Sequence, residues 1–126
     1  MKNLLTVEEL RAFEEDIAQC FRNKMIRAPI HLEYGNEAQL IEIFKDFKPG
    51  DWAFCSWRSE LKNLLAGVPK NKLKQAILDG RSISLCFKDY NIVSSAIVAA
   101  NLPMACGKAF DLKRTNSANR SWAFIG

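Results

Sequence analysis

The chain has 126 residues, 48% of them hydrophobic, and a formal net charge of +4. This length fits one domain or a piece of one, with enough apolar residues for a hydrophobic core. The mild basic bias is too weak to indicate nucleic-acid binding, and no apolar run is long enough to cross a membrane. Glu8 and Glu9 stand where a signal peptide requires apolar residues, so we expect a cytoplasmic protein.

The N-terminal segment is predicted to form an amphipathic helix. Thr6 can cap this helix, and Glu9 stands three residues further on, as a capping box requires. Apolar residues recur at helical spacing to about Met25, namely Leu10, Phe13, Ile17, Phe21 and Ile26. The acidic side chains of the helix, Glu14, Glu15 and Asp16, are expected to face solvent.

A loop punctuated by Pro29 and Gly35 follows, and it carries the only histidine of the chain, His31. A histidine on a loop can serve chemistry near neutral pH, although it more often makes an ordinary hydrogen bond. The apolar positions that come next predict a helix from Asn36 to about Phe47.

A turn at 48–51 leads into a short apolar run, 52–55, which predicts a buried strand. Arg58 follows an aromatic residue at the end of this run, where a guanidinium is well placed to bind an anion. The alternative for Arg58 is a salt bridge to Glu60 or Glu37.

Two helices are predicted after this strand. The first ends at Gly67, and Pro69 opens the second, which ends at Gly80. Short alternation of apolar residues from Arg81 to Tyr90 predicts an extended segment.

The stretch 94–110 is apolar, rich in small residues and almost uncharged. We expect a loop and then a buried helix over 101–114, capped by Asn101 and with Pro103 in its first turn. Its small residues would let another backbone or a flat ligand approach, and the alternative is a helix that is simply well packed in the core. A final strand over 121–125 completes a mixed α/β chain.

The four cysteines, at positions 20, 55, 86 and 106, include no Cys-x-x-Cys pair. This spacing argues against a zinc site and against a dense disulfide framework, so we expect buried free thiols. The sequence also lacks a Gly-x-Gly-x-x-Gly loop, a phosphate-loop lysine motif and a serine nucleophile elbow. Spacing alone therefore predicts no particular chemistry.

Four features nevertheless follow one another in a recognisable order. These are His31–Ala38, the pair Trp57-Arg58 followed by Leu65–Gly67, the block Ile97–Ala109, and the last strand. Together they resemble the amino-terminal part of the alpha subunit of thiamine-diphosphate-dependent 2-oxoacid dehydrogenases, the decarboxylating first component. The resemblance extends from about residue 27 to the end of the chain.

This resemblance implies an incomplete thiamine-diphosphate-binding fold, in which helices flank a short, mainly parallel sheet. An N-terminal helix, 1–27, would precede a partial cofactor-binding domain, 28–126. The chain would be a fragment of an enzyme subunit that decarboxylates a 2-oxoacid oxidatively, with a beta-type subunit and a lipoyl-bearing acyltransferase as partners. Nucleic acids and membranes are not expected partners. The alternatives are a non-oxidative carboligase or lyase subunit, and a non-catalytic interaction protein that keeps the scaffold.

The resemblance also assigns roles by position. Trp57 and Arg58 would contact the diphosphate, and Ala96 and Val98 would line the cofactor rings. His31 would face the substrate as the catalytic residue of this chain.

Magnesium would bind with the cofactor, but no residue of this chain is implied as its ligand. The family's Gly-Asp-Gly metal motif begins at the position of Gly126, so the metal ligands are expected beyond it.

Some positions depart from the family pattern. Trp57 replaces a tyrosine, and Ala99 replaces a glycine. Glu60 and Ser84 stand where the family has histidines that help to bind substrate. These departures leave open a different donor substrate, or an acceptor other than lipoyl.

Overall fold

The computed structural model describes residues 4–125 and confirms the mixed α/β class. Its α-helices are α1 (Val7–Arg22), α2 (Glu37–Phe44), α3 (Glu60–Leu65), α4 (Lys70–Leu78) and α5 (Asn101–Arg114). Its strands are β1 (Trp52–Cys55), β2 (Cys86–Phe87), β3 (Ile92–Ser94) and β4 (Ser121–Ala123). Two short 3₁₀ turns, Ser82–Ser84 and Lys88–Tyr90, lie on either side of β2 along the chain.

The strands form one mixed sheet in the order β2-β3-β1-β4. Strand β1 is parallel to both of its neighbours, and Ala53 pairs with Ile92 of β3 and with Trp122 of β4. Strand β2 is antiparallel to β3 at the edge. The carboxyl ends of β3, β1 and β4 therefore meet at one edge of the sheet, which is where open α/β sheets bind ligands.

The hydrophobic core joins the sheet to α1, α2, α3 and α4. Leu10 of α1 and Leu61 of α3 are fully buried in it. Phe44 contacts Phe47 and stacks on Phe124, with 5.5 Å between the centroids of the stacked rings. Helix α1 thus contributes to the same core as the sheet, because its apolar stripe packs into that core.

Helix α1 begins as the sequence predicts. The Thr6 hydroxyl accepts a hydrogen bond from the Glu9 N–H at 3.2 Å, and the Glu9 carboxylate accepts one from the Thr6 N–H at 2.8 Å. These two bonds form the predicted capping box. The helix ends at Arg22 rather than near Met25, because Lys24 adopts a left-handed conformation with φ of 58°.

Substituting Thr6 with alanine is expected to lower the free energy of unfolding by about 1 kcal/mol, because the Glu9 N–H loses its acceptor. Urea unfolding at neutral pH measures this change. Thr6→Ser keeps the hydroxyl and is the matched control, which should unfold near the wild-type midpoint. Equal midpoints for the alanine variant and the wild type would contradict the prediction.

Two predictions for side chains of α1 are wrong. Phe21 is 47% exposed, and the neighbouring Cys20 is instead the buried residue of the last turn. Glu14 is only 4% exposed, although we predicted it in solvent. Position 14 lies four residues after Leu10 and three before Ile17, so it continues the buried stripe.

Some of the helix and strand boundaries predicted from the sequence are also wrong. Helix α2 ends at Phe44 rather than Phe47, and the segment 81–90 is mostly 3₁₀ turn rather than extended. Strand β3 was not predicted, because its three residues follow the left-handed Asn91 (φ 56°) and are too few to form a pattern. Strand β4 is also shorter than predicted and ends at Ala123.

The prediction of a buried α5 is wrong as well. The helix packs one face against β1 and β4, which buries Asn101, Ala105 and Leu112, but Phe110 is 70% exposed. Asn101 is not the cap, since Ala100 holds that position. The loop before α5, predicted over 94–100, spans 95–100, because Ser94 belongs to β3.

Expectations for the cysteines, for membrane-spanning helices and for Gly126 can also be compared with the structure. Cys20 and Cys55 are buried free thiols, as predicted, whereas Cys86 and Cys106 are free but exposed because each lies on an element that covers the core with one face only. No helix within residues 4–125 is long and apolar enough to cross a membrane. Gly126, where the resemblance places the start of the metal motif, lies outside the described residues.

Candidate functional site

The candidate site is a pocket of about 500 Å³ at the carboxyl ends of β1 and β4. Pockets of this size accommodate small organic ligands. The lining combines charged, polar and aromatic side chains: Glu33, Asn36, Leu40, Ser56, Trp57, Arg58, Lys62, Phe124 and Ile125. A larger depression of about 910 Å³ lies beside α4 and β2, and it shares no lining residue with this pocket. We favour the smaller pocket because it lies where the parallel strands end.

The loop after β1 brings Trp57 and Arg58 to the pocket, as the sequence predicts for residues that follow a strand. Arg58 makes neither of the salt bridges considered for it. Glu60 accepts from the Ser82 hydroxyl at 2.5 Å, and Glu37 pairs with Arg11 at 3.4 Å. Within residues 4–125 the exposed guanidinium of Arg58 has no carboxylate partner, so its charge is available to an anion.

His31 lies at the rim of the pocket rather than in its lining. Its ring meets the ring of Trp57 edge-on, at a centroid distance of 6.5 Å and an interplanar angle of 67°. The imidazole is exposed to solvent. His31 is therefore placed to contact a ligand held by the loop after β1.

Ala96 and Val98 lie on the loop after β3, on the other side of β1 from β4. The Ser95 N–H donates to the Cys55 carbonyl at 3.0 Å, which fixes this loop beside the end of β1. Val98 is 73% exposed, and neither residue lines the pocket. The structure thus puts the predicted site residues on one edge of the sheet but only Trp57 and Arg58 inside the pocket.

Asn101 connects the strands beneath this edge. Its side-chain amide donates to the Phe54 carbonyl at 3.3 Å and to the Phe124 carbonyl at 2.5 Å. The side chain is 2% exposed. This bridge between the ends of β1 and β4 holds Phe124 where it lines the pocket.

The sequence did not indicate Glu33 and Lys62 as functional residues. Their side chains form an ion pair that is almost fully buried, with side-chain exposures of 7% and 8%. Lys62 also donates to the Arg58 carbonyl at 2.9 Å, and its ammonium lies 5.7 Å from the centroid of the Phe124 ring. The partners are 29 residues apart, so no local pattern could have paired them.

Other carboxyl groups lie close behind the Glu33–Lys62 pair. Burial raises the pKa of Glu60 to about 7, although the Ser82 hydrogen bond opposes this shift. Burial likewise raises the pKa of Glu14 to about 7, and the charges of Glu60 and Glu33 add to the shift. Glu37 behaves differently. Burial would raise its pKa, but nearby N–H groups and the Arg11 guanidinium outweigh burial and lower it.

Cys55 ends β1 beside the pocket. Burial raises the pKa of its thiol to about 12. Because the thiolate is the reactive form, Cys55 is inert as a nucleophile at neutral pH.

No group of three or more His, Cys, Asp or Glu side chains within residues 4–125 is arranged to hold a metal ion. Comparison with protein-family models finds no match, and comparison with curated proteins finds none.

Proposed function

We propose that the chain is the thiamine-diphosphate-binding, alpha-type part of a cytoplasmic enzyme that decarboxylates a 2-oxoacid oxidatively with a beta-type partner. The observation that carries this proposal is the common location of the residues implied by the resemblance. Trp57, Arg58, Ala96 and Val98 follow adjacent parallel strands, at the ligand-binding edge of such sheets. His31 reaches the same edge through its ring contact with Trp57.

Arg58 suits the diphosphate group. A guanidinium is planar, permanently charged and able to donate two parallel hydrogen bonds to phosphate oxygens. The lack of a carboxylate partner within residues 4–125 leaves these donors free. The indole N–H of Trp57 can donate as well, which replaces the hydroxyl of the tyrosine in the family pattern.

Ala99 supports the resemblance independently. It adopts a left-handed conformation with φ of 62°, which favours glycine over other residues. The family pattern has glycine at this position. The local backbone therefore retains a conformation that suits the family residue even though the side chain has changed.

The residues present fit the phosphate end of the cofactor. We propose that they bind the cofactor and orient the substrate. When bound, thiamine diphosphate supplies the electron sink for decarboxylation. Arg58 anchors the anion, Trp57 packs beside it, and His31 at the rim orients the substrate or supplies a proton. No step is assigned to magnesium, because the described residues offer no cluster for a metal.

The second candidate function is a non-catalytic chain that keeps the scaffold and binds a partner protein. Exposed apolar side chains before and on α5 favour it, since Ile97 and Val98 are each 73% exposed and Phe110 is 70% exposed. Exposed apolar patches are typical of interaction surfaces. A non-oxidative carboligase subunit would use the same cofactor and would differ in its products.

Calorimetric titration of the chain, mixed with a beta-type partner in magnesium-free buffer, with thiamine diphosphate tests the contact to Arg58, because no residue of this chain is implied as a magnesium ligand. We expect binding that Arg58→Ala weakens by about 1.5–3 kcal/mol, the range for a hydrogen bond to a charged group. Arg114→Ala removes an equal charge from the exposed end of α5 and should leave the affinity unchanged.

Thiamine without phosphates provides a second control, because its weaker binding should not respond to Arg58→Ala. Equal affinity of wild type and Arg58→Ala for thiamine diphosphate would remove Arg58 from the site. Absence of heat with thiamine diphosphate, for the chain alone and with a beta-type partner, would favour the interaction protein.

A further inference from the structure

The depression beside α4 and β2 is lined mainly by cationic and polar side chains. Its volume is about 910 Å³, which is near the upper end of the range for sites that hold small organic molecules. Three cations, Lys72, Arg81 and Lys88, line it together with a single carboxylate, Asp89. A concave surface with cations in excess attracts anions, because the fields of the cations add inside it.

The three cations come from separate segments of the chain. Lys72 lies on α4, Arg81 lies in the turn that follows this helix, and Lys88 begins the 3₁₀ turn after β2. The tertiary packing of these segments, and not one run of basic residues, brings the cations to the same depression. Cations on separate segments suit a ligand that carries more than one anionic group.

These cations are available to a ligand. Within residues 4–125, no ion pair joins Lys72 or Lys88 to an acidic side chain. Arg81 pairs with Asp79 at 3.4 Å, but both side chains are exposed, and exposed pairs contribute little to stability. The planar guanidinium also has five N–H donors, so Arg81 can bind an anion without leaving Asp79.

Aromatic rings hold the Lys72 ammonium in place. The ammonium lies 5.2 Å from the centroid of the Tyr90 ring and 6.0 Å from the centroid of the Phe87 ring. The rings attract the cation but do not neutralise its charge. Lys72 is therefore partly ordered beside the depression before an anion binds, which favours binding because less side-chain freedom remains to be lost.

We propose that this depression is a second binding site, and that its ligand is a small organic polyanion with at least two phosphate or carboxylate groups. The site shares no lining residue with the pocket after β1 and does not depend on the function proposed for that pocket. Pro69 and Phe87 give it an apolar wall for the organic part of the ligand. A neutral ligand would leave the mutual repulsion of the three cations in place.

Two exposed thiols allow this site to be tested in the full chain. Cys86 lines the depression, whereas Cys106 lies on α5 and is not part of the lining. A ligand in the depression should shield Cys86 from iodoacetamide and leave Cys106 unaffected. Mass spectrometry of the digested protein measures the alkylation rate at each cysteine during titration with inorganic pyrophosphate, citrate or orthophosphate at constant ionic strength.

We expect pyrophosphate, citrate or both to slow the alkylation of Cys86. Orthophosphate should need about a 10-fold higher concentration for half of the protection, because it loses at least one charged contact. Pyrophosphate represents the phosphates and citrate the carboxylates, so the anion that protects at the lower concentration identifies the kind of group that the site prefers.

Lys88→Ala is the main variant, because Lys88 is exposed and its loss breaks no ion pair within residues 4–125. It should raise the concentration of polyanion that gives half of the protection about 10-fold, since one charged contact is lost. Lys113→Ala removes an equal charge from the last turn of α5 and should leave this concentration unchanged. Arg58→Ala should also leave it unchanged, because Arg58 lines the other pocket.

Several results would overturn the second site. They are a lack of protection by both polyanions, equal slowing at Cys106, and protection that Lys88→Ala does not weaken. Protection that Arg58→Ala abolishes would assign the anion to the pocket after β1 instead. Orthophosphate that protects as well as pyrophosphate and citrate would overturn the requirement for more than one anionic group.

Discussion

Replacing Asp51 with alanine is expected to lower the free energy of unfolding by about 3–5 kcal/mol, because several donors share this one carboxylate. Asp51 is 2% exposed and lies just before β1. Its Oδ1 accepts from the Arg120 N–H at 2.8 Å and from the Asn119 amide at 3.1 Å. Its Oδ2 accepts from the Lys48 N–H and from the Trp122 indole N–H, each at 3.0 Å.

These bonds attach the start of β4 to the turn before β1. Without the carboxylate, these half-buried donors would lose their shared acceptor, and β4 would lose its attachment to the turn. Phe124 and Ile125, which follow β4, line the candidate pocket. The loss of Asp51 should therefore weaken ligand binding as well as stability.

Urea unfolding at pH 7 measures the effect, and Asp46→Ala, an exposed change in the preceding turn, is the matched control. The pH dependence provides a second check. Burial opposes ionisation of Asp51, but its hydrogen-bond donors outweigh burial and hold its pKa below the usual 3.8. Its contribution is therefore complete above about pH 4 and is lost as the pH falls through the lowered pKa. An Asp51→Ala variant that unfolds at the wild-type midpoint would contradict this account.

Local signals predicted the parts of the fold that depend on local interactions. The capping box at Thr6 and the apolar run of β1 are read from neighbouring residues, and both are confirmed. The stop at Gly67 is confirmed too, because φ there is 106° and the chain needs a residue that tolerates it. In each case the residues that decide the structure are adjacent in sequence.

The burial of α5 could not be predicted in the same way. Its composition indicated a helix enclosed on all sides, yet only one face meets the sheet. Composition records how apolar a helix is and not what covers it. The large exposed fraction of Phe110 depends on tertiary packing that the sequence does not specify.

The same distinction between local structure and tertiary packing applies to the candidate site. Trp57 and Arg58 follow a strand, so their position at its carboxyl end is a local consequence of the fold. Glu33 and Lys62 look like ordinary surface charges in the sequence, and only the packing of the loop against α3 makes them a buried pair. Glu14 was misplaced for the same reason, since a carboxylate on a helix is normally solvated.

Raising the pH from 5 to 8 is expected to destabilise the chain, because Glu14 and Glu60 are buried carboxyl groups. Both have a pKa of about 7 in the folded protein against the ordinary 4.5. Below pH 4.5 both groups are protonated in the folded and unfolded states. Between pH 4.5 and 7 only the unfolded chain releases these protons, so stability falls as the pH rises, and the loss is complete above pH 7.

The size of the loss follows from the shifts. The Glu60 shift, from 4.5 to about 7, corresponds to about 3 kcal/mol. Glu14 should add to the loss in the same direction, because its pKa is also raised to about 7. Asp51 and Glu37 do not compensate, since lowered pKa values give them their full contribution by about pH 5.

The surroundings of Glu14 explain why ionisation is costly. It faces Glu33 of the loop, Glu37 of α2 and Glu60 of α3. Lys62 pairs with Glu33 and Arg11 pairs with Glu37, so these two cations neutralise other carboxylates of the group. Neither oxygen of Glu14 makes a hydrogen bond of ordinary geometry within residues 4–125, and burial raises its pKa more than the nearby Glu33 N–H lowers it, so a negative charge there would be poorly compensated.

Urea unfolding at pH 5, 6, 7 and 8 measures this dependence in the wild type and in Glu14→Gln and Glu60→Gln. Each glutamine is neutral at every pH, so in each variant the free energy of unfolding should fall less steeply with pH. The larger reduction is expected in Glu60→Gln. Glu8→Gln, an exposed change on α1, is the matched control and should retain the full slope. Wild-type stability that stays level or rises between pH 5 and 8 would mean that these carboxyls ionise without cost, and the buried acidic cluster would then be open to water.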